Sequence, residues 1–186
     1  MKLYPTTTQK EFAKSLITEE TFRNGQSDGN RNQRAIGFLA EKMIHDLFGV
    51  DMIKASGFDG GVDIVLNDIK IDIKAMGREV DMQKHYVNNL MASQVEGDKY
   101  LNDIYLFTSY NKRKGYLEIL GWIKKSYVVA LNKGIKRYKE GEDRKRSNGS
   151  SFKTKAAMYE VPCRSLEPFL SPETFMMEIG RFKPLI

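Results

Sequence analysis

Two aspartates, Asp63 and Asp72, and a lysine, Lys74, fall in a stretch whose pattern sets them on one surface. The run Gly57-Phe58-Asp59-Gly60-Gly61-Val62-Asp63-Ile64-Val65-Leu66-Asn67-Asp68-Ile69-Lys70-Ile71-Asp72-Ile73-Lys74 places two alternating apolar segments around Asn67-Asp68. Asparagine and aspartate can visit the left-handed conformation that a two-residue hairpin loop needs. With those two as the loop, Leu66 lies opposite Ile69, Ile64 opposite Ile71, and Asp63 opposite Asp72. Opposed residues share a face, with Cβ atoms about 4.5–5.5 Å apart. Like charges so placed repel unless a cation lies between them, and hard divalent ions take carboxylate oxygens at about 2–2.5 Å. Lys74 points to the same face as Asp72. The chemistry on offer is a carboxylate pair holding a divalent metal beside an amine.

The elements around this hairpin must position it. Residues 33–48 read as a helix, with Ile36, Ala40, Met43 and Leu47 on one stripe and Gly49 as its stop. Glu41 sits near the edge of that stripe, and Gly37, one turn earlier, leaves room for the helix to approach the sheet. A shorter amphipathic segment spans residues 8–22 with Phe12, Leu16 and Ile17 inward, and residues 24–30 are a loop by their turn residues. The approach through Gly60-Gly61 suits a tight backbone near Asp63, and Asp59 reads as part of that turn. Residues 81–96 read as a helix carrying Val87, Leu90, Met91 and Val95 on one face. Gln94 falls on that face, where a buried amide needs partners: a site residue, a water or neighbouring backbone. Residues 103–109 and 116–120 read as strands joined by residues 110–115. Residues 122–131 fit helix or strand, and residues 132–155 a long basic surface loop. A late strand at 157–161 and a helix at 172–179 close the chain. The predicted class is α/β: a single domain over residues 1–186, with a central mixed β-sheet flanked by helices.

The composition narrows the function classes. No apolar run approaches the ~20 residues that span a bilayer, and no apolar signal segment follows Met1. A cytoplasmic location without membrane contact is the expectation. Cys163 is the single cysteine, which excludes an internal disulfide, and His45 and His85 form no recognisable zinc pattern. The net charge of +6 is uneven: residues 111–155 hold 14 Lys/Arg against 4 Asp/Glu, or +10, leaving −4 elsewhere. Segregated basic charge favours a polyanion, most commonly nucleic acid. Lys112, Arg113 and Lys114 in one loop, and Lys136, Arg137, Arg144, Lys145 and Arg146 in the next, are the expected nucleic-acid contacts. Tyr138 and Phe152 are available to stack on unpaired bases.

The ordered set Glu41, Asp63 and Asp72-Ile73-Lys74 resembles the PD-(D/E)XK phosphodiesterase superfamily, which includes restriction enzymes, Holliday-junction resolvases and phage or repair nucleases. The resemblance covers residues 33–110. Val62 stands where the name-giving proline would be, and a glutamine on the following helix, as at Gln94, recurs in branches of the family. The resemblance implies a restriction-endonuclease-like core and metal-dependent endonucleolytic cleavage of DNA. It implies Mg²⁺ or Mn²⁺ held by Asp63, Asp72, the Ile73 carbonyl and Glu41. A water activated by the cation would attack phosphorus, with Lys74 assisting and Gln94 completing the site. DNA is the implied partner and a homodimer is compatible with it. Two other classes fit the same residues: a non-cleaving nucleic-acid-binding module, and an interaction protein whose basic surface meets an acidic partner.

Overall fold

The computed structural model describes residues 1–17, 30–52, 60–145 and 149–181. In chain order the elements are β1 (Lys2–Leu3), α1 (Thr7–Ser15), α2 (Arg31–Phe48), β2 (Ile64–Leu66), β3 (Ile69–Arg78), β4 (Val87–Met91), α3 (Ala92–Glu96), β5 (Ile104–Asn111), β6 (Tyr116–Lys124), α4 (Lys125–Val129), β7 (Lys136–Tyr138), β8 (Asp143–Lys145), β9 (Ser151–Lys153), β10 (Met158–Pro162) and α5 (Pro172–Gly180).

The central sheet has five strands in the order β1-β6-β5-β3-β2. It is mixed: β3 runs parallel to β5, and the other neighbours are antiparallel. This is an α/β architecture. The hairpin forms as its turn residues dictate. Asn67 and Asp68 take φ of 51° and 64°, and Leu66, Val65 and Ile64 pair with Ile69, Lys70 and Ile71. Alternation then sorts the side chains of β3 and β5. Ile71, Ile73, Ile104 and Leu106 pack with Leu39, Ala40, Met43 and Ile44 of α2 and with Phe175 and Ile179 of α5. Tyr105 and Phe107 face the other way, into a second cluster with Leu90, Tyr159 and Val161. A three-stranded antiparallel sheet, β4-β10-β7, supplies that second layer.

Helix α2 begins at a reciprocal cap, Asn30 with Gln33, and ends at left-handed Gly49. Its inward stripe includes Ile36, Ala40 and Met43 as expected. Close approach to the sheet is allowed by Gly77 rather than by Gly37. A Cβ on Gly77 would come within 2.5 Å of Ile36 Cδ1, whereas one on Gly37 would meet only Glu41 Oε1, at 3.9 Å.

Two expectations are corrected. The helix read over residues 81–96 is a loop, then strand β4, then the five-residue α3. Residues 87–91 contain Asn88 and Asn89, weak helix formers, and all five pair with β10. The region 132–155 is not a continuous loop: β7 joins the second sheet and β8 pairs with β9 as a hairpin. Residues 122–131 divide, with β6 running to Lys124 and α4 following. Asp59, the loop at 24–29, the end of the 8–22 segment and Arg146 lie outside the described residues. Among the described residues no helix is long and apolar enough to cross a membrane.

Candidate active site

The hairpin ladder stops at Ile64, one residue short of the expected Asp63–Asp72 cross-strand pair. The Asp63 N–H donates to the Ile71 carbonyl at 2.9 Å. Its carboxylate Oδ2 accepts the Ile73 N–H at 2.6 Å, a place the ladder would give to a main-chain carbonyl. The aspartate side chain therefore continues the sheet's hydrogen bonding and stays beside β3. Asp63 sits well above the usual carboxylate range: burial is the largest cause, followed by Glu41 and then Asp72. Glu41 and Asp72 thus both act on Asp63.

Asp72 is buried on β3, with its neighbour Tyr105 in parallel register on β5. Lys74 Nζ lies 2.9 Å from Asp72 Oδ2, and the two side chains are 25% and 3% exposed. The lysine amine is thus the more open end of the pair. Burial acts to lower the Lys74 pKa, but Asp72, Asp63 and Tyr100 outweigh it and the net direction is upward. Lys74 keeps its proton at neutral pH. Ile73, whose N–H is bonded to Asp63, has its side chain in the core. Gln94 is half-buried on α3, and its main-chain carbonyl accepts the Tyr105 hydroxyl at 3.3 Å. Among the described residues no hydrogen bond joins the Gln94 side chain to the carboxylates.

Three neighbours carried no recognisable signal in the sequence. His45 reaches the Asp63 main chain from α2. Tyr100 lies on Gly61: a Cβ there would stand 2.6 Å from Tyr100 Cδ1, and Gly61 has φ of 68°. Lys125 donates to the Tyr100 carbonyl at 2.5 Å. Burial lowers its pKa while Asp72 opposes that shift, so a second amine sits within the field of the buried aspartate. Gly61→Ala should cost about 1–2 kcal/mol from the left-handed backbone alone, with a further loss as Tyr100 is pushed aside. Urea denaturation reads the sum, and an unchanged midpoint would show that Tyr100 is not held there.

Comparisons with protein-family models, curated proteins and solved structures returned no match.

Most of the basic residues are exposed, but several of them are paired with acids of the same chain. Lys112 and Arg113 pair with Glu79 at 3.3 and 3.6 Å, and Lys114 pairs with Asp81 at 2.5 Å. Arg137 holds Glu96 through two bonds, of 2.5 and 3.1 Å, and with Tyr159 keeps that carboxyl down at about 2. Lys133 pairs with Glu167. Arg144 is buried, bonded to Glu160 at 2.6 Å, with its guanidinium over the rings of Tyr138 and Phe152 at 5.6 and 5.7 Å. The two aromatics available for bases thus stack on an arginine of the same chain. Lys136 and Lys145 are exposed. Arg144→Ala should cost about 3–5 kcal/mol, the usual penalty for stranding one member of a buried ion pair. A variant that keeps wild-type stability but loses DNA affinity would assign Arg144 to the nucleic-acid surface instead.

Proposed function

We propose that the protein is a divalent-metal-dependent nuclease that hydrolyses phosphodiester bonds in DNA on a restriction-endonuclease-like core. The observation that carries this reading is the buried Asp63, within the field of Glu41, Asp72 and Lys74 at one end of the central hairpin, beside the Asp72–Lys74 ion pair. The donor chemistry fits Mg²⁺ or Mn²⁺, since these ions take hard carboxylate oxygens and Mg²⁺ is commonly held by one or two carboxylates plus waters. Among the described residues no three His, Cys, Asp or Glu side chains stand close enough to form a cage. Asp63 and Asp72 would therefore be the principal holders, with Glu41 and the Ile73 carbonyl supporting them. Burial is the first cause of the upward shift of Asp63, and the negative charges of Glu41 and Asp72, which a bound cation would offset, come next.

When bound, the cation would polarise the phosphoryl oxygens and lower the pKa of the attacking water. Lys74, protonated and partly open to solvent, binds a phosphate oxygen and stabilises the charge that grows on it. Asp63 is held by the Ile73 N–H, so its carboxylate needs little reorganisation. The ends left would be a 5′-phosphate and a 3′-hydroxyl. The Asp72–Lys74 ion pair favours a second reading, a non-cleaving nucleic-acid-binding module of the same fold, because the pair is already neutral without metal.

The test is incubation with supercoiled plasmid, single-stranded and four-way-junction DNA in Mg²⁺, Mn²⁺ or EDTA. Metal-dependent cutting is the expected result. Salt-sensitive binding without cutting would favour the module, and neither binding nor cutting would leave an interaction protein.

A further inference from the structure

Helix α2 delivers two side chains to Asp63, one turn apart: Glu41 and His45. Residues at i and i+4 share a helix face, so the spacing itself aims both at the same place. Glu41 acts on the carboxylate, and His45 acts on the backbone. His45 is 5% exposed, and its Nε2 lies 2.9 Å from the Asp63 main-chain oxygen. Its other ring nitrogen, Nδ1, is buried with no hydrogen-bond partner among the described residues.

The acceptor fixes the proton. A carbonyl oxygen only accepts, so the ring carries a hydrogen on Nε2 and donates it to Asp63. The His45 main chain is itself held near the end of the helix, where Gly49 is left-handed and the Val50 N–H donates to the His45 carbonyl at 3.0 Å. Asp63 is then gripped at three points: its N–H by Ile71, its carboxylate by Ile73 and its carbonyl by His45. Only the last grip comes from outside the hairpin.

We propose that His45 is a positioning residue, which fixes the Asp63 backbone so that its carboxylate stays within the field of Asp72 and Lys74. The inference rests on the metal-dependent reading above and deepens it. A histidine that merely fills the core would be replaceable by any side chain of similar volume. A positioning histidine is replaceable only by a side chain that keeps a donor at the reach of Nε2.

The experiment compares wild type, His45→Gln, His45→Asn and His45→Leu by calorimetric titration with Mn²⁺, alongside DNA cleavage. Glutamine places an amide near the Nε2 position, asparagine stops short of it, and leucine has no donor. His45→Leu and His45→Asn should bind Mn²⁺ about tenfold more weakly, the lower end of the range for losing an outer-shell partner, and His45→Gln should recover most of the loss. If leucine prevents folding, the glutamine–asparagine pair decides alone. The ¹⁵N spectrum of the imidazole should show a proton on Nε2, and an unprotonated Nε2 would overturn the proposal. Wild-type affinity in folded His45→Asn or His45→Leu would overturn the role of His45 and leave the nuclease reading standing. A wild-type chain that takes up no Mn²⁺ and cuts no DNA would overturn both.

Discussion

Lys74→Met is expected to lower cleavage by about 10²–10³-fold, the usual loss when a preorganised group is removed from a developing charge. The same change should also destabilise the fold. Asp72 is 2% exposed and its amine partner would be gone, and stranding a buried charge costs about 3–5 kcal/mol. The double variant Asp72→Asn/Lys74→Met isolates the stability effect. With both charges removed, much of the stability should return while cleavage stays lost. Paired urea-denaturation and plasmid-nicking assays measure both quantities on one preparation. Cleavage by Lys74→Met at the wild-type rate would remove the lysine from the chemistry.

Asp63→Asn should abolish cleavage and yet stabilise the metal-free protein above mildly acidic pH. The sign follows from the raised Asp63 pKa, caused first by burial and then by Glu41 and Asp72. A carboxyl raised in the folded state contributes stability in full below its unfolded pKa, about 3.9. That contribution is lost as pH rises through the folded value. Asparagine does not ionise, and its amide oxygen can still accept the Ile73 N–H, so the variant escapes the loss. Denaturation in EDTA should therefore show wild type falling behind Asp63→Asn from about pH 4 upward, with the gap levelling off above the folded pKa of Asp63. Mn²⁺ should narrow the gap by stabilising wild type only. Parallel pH profiles for the two proteins in EDTA would mean that Asp63 is not under electrostatic stress.

The hairpin was legible because its information is local. Two turn residues that tolerate positive φ and the alternation of Ile69, Ile71 and Ile73 with Lys70, Asp72 and Lys74 fix the register of Ile64, Val65 and Leu66 against β3. Helix α2 was legible for the same reason, through its stripe and its stop at Gly49. Residues 87–91 were not. Val87, Leu90 and Met91 fit a helical face, and the choice of strand is made by β10, some seventy residues away in the chain. The partners of the basic residues were hidden for a similar reason. The basic residues cluster along the sequence, but their acids, Glu79, Glu96, Glu160 and Glu167, come from four separate segments. Of the site, the carboxylates and Lys74 could be read from residue type and spacing. His45 and Lys125 could not, because each bonds a main-chain oxygen, which any residue supplies.

The parallel pairing of β3 with β5 has a kinetic consequence. The two aspartates lie nine positions apart on a tight hairpin, and such hairpins form in about 1–10 μs. Strand β5, on the far edge of β3 from β2, pairs Asp72 with Tyr105, and a contact so distant along the chain must first meet the entropy of closing a long loop. The acid pair should therefore meet while still wet, and the repulsion should grow only as β5 docks and water leaves. Pulse-labelled hydrogen exchange should find the amides of residues 64–71 protected before those of residues 104–108. On this account, docking of β5 is the step of refolding that a divalent ion should accelerate.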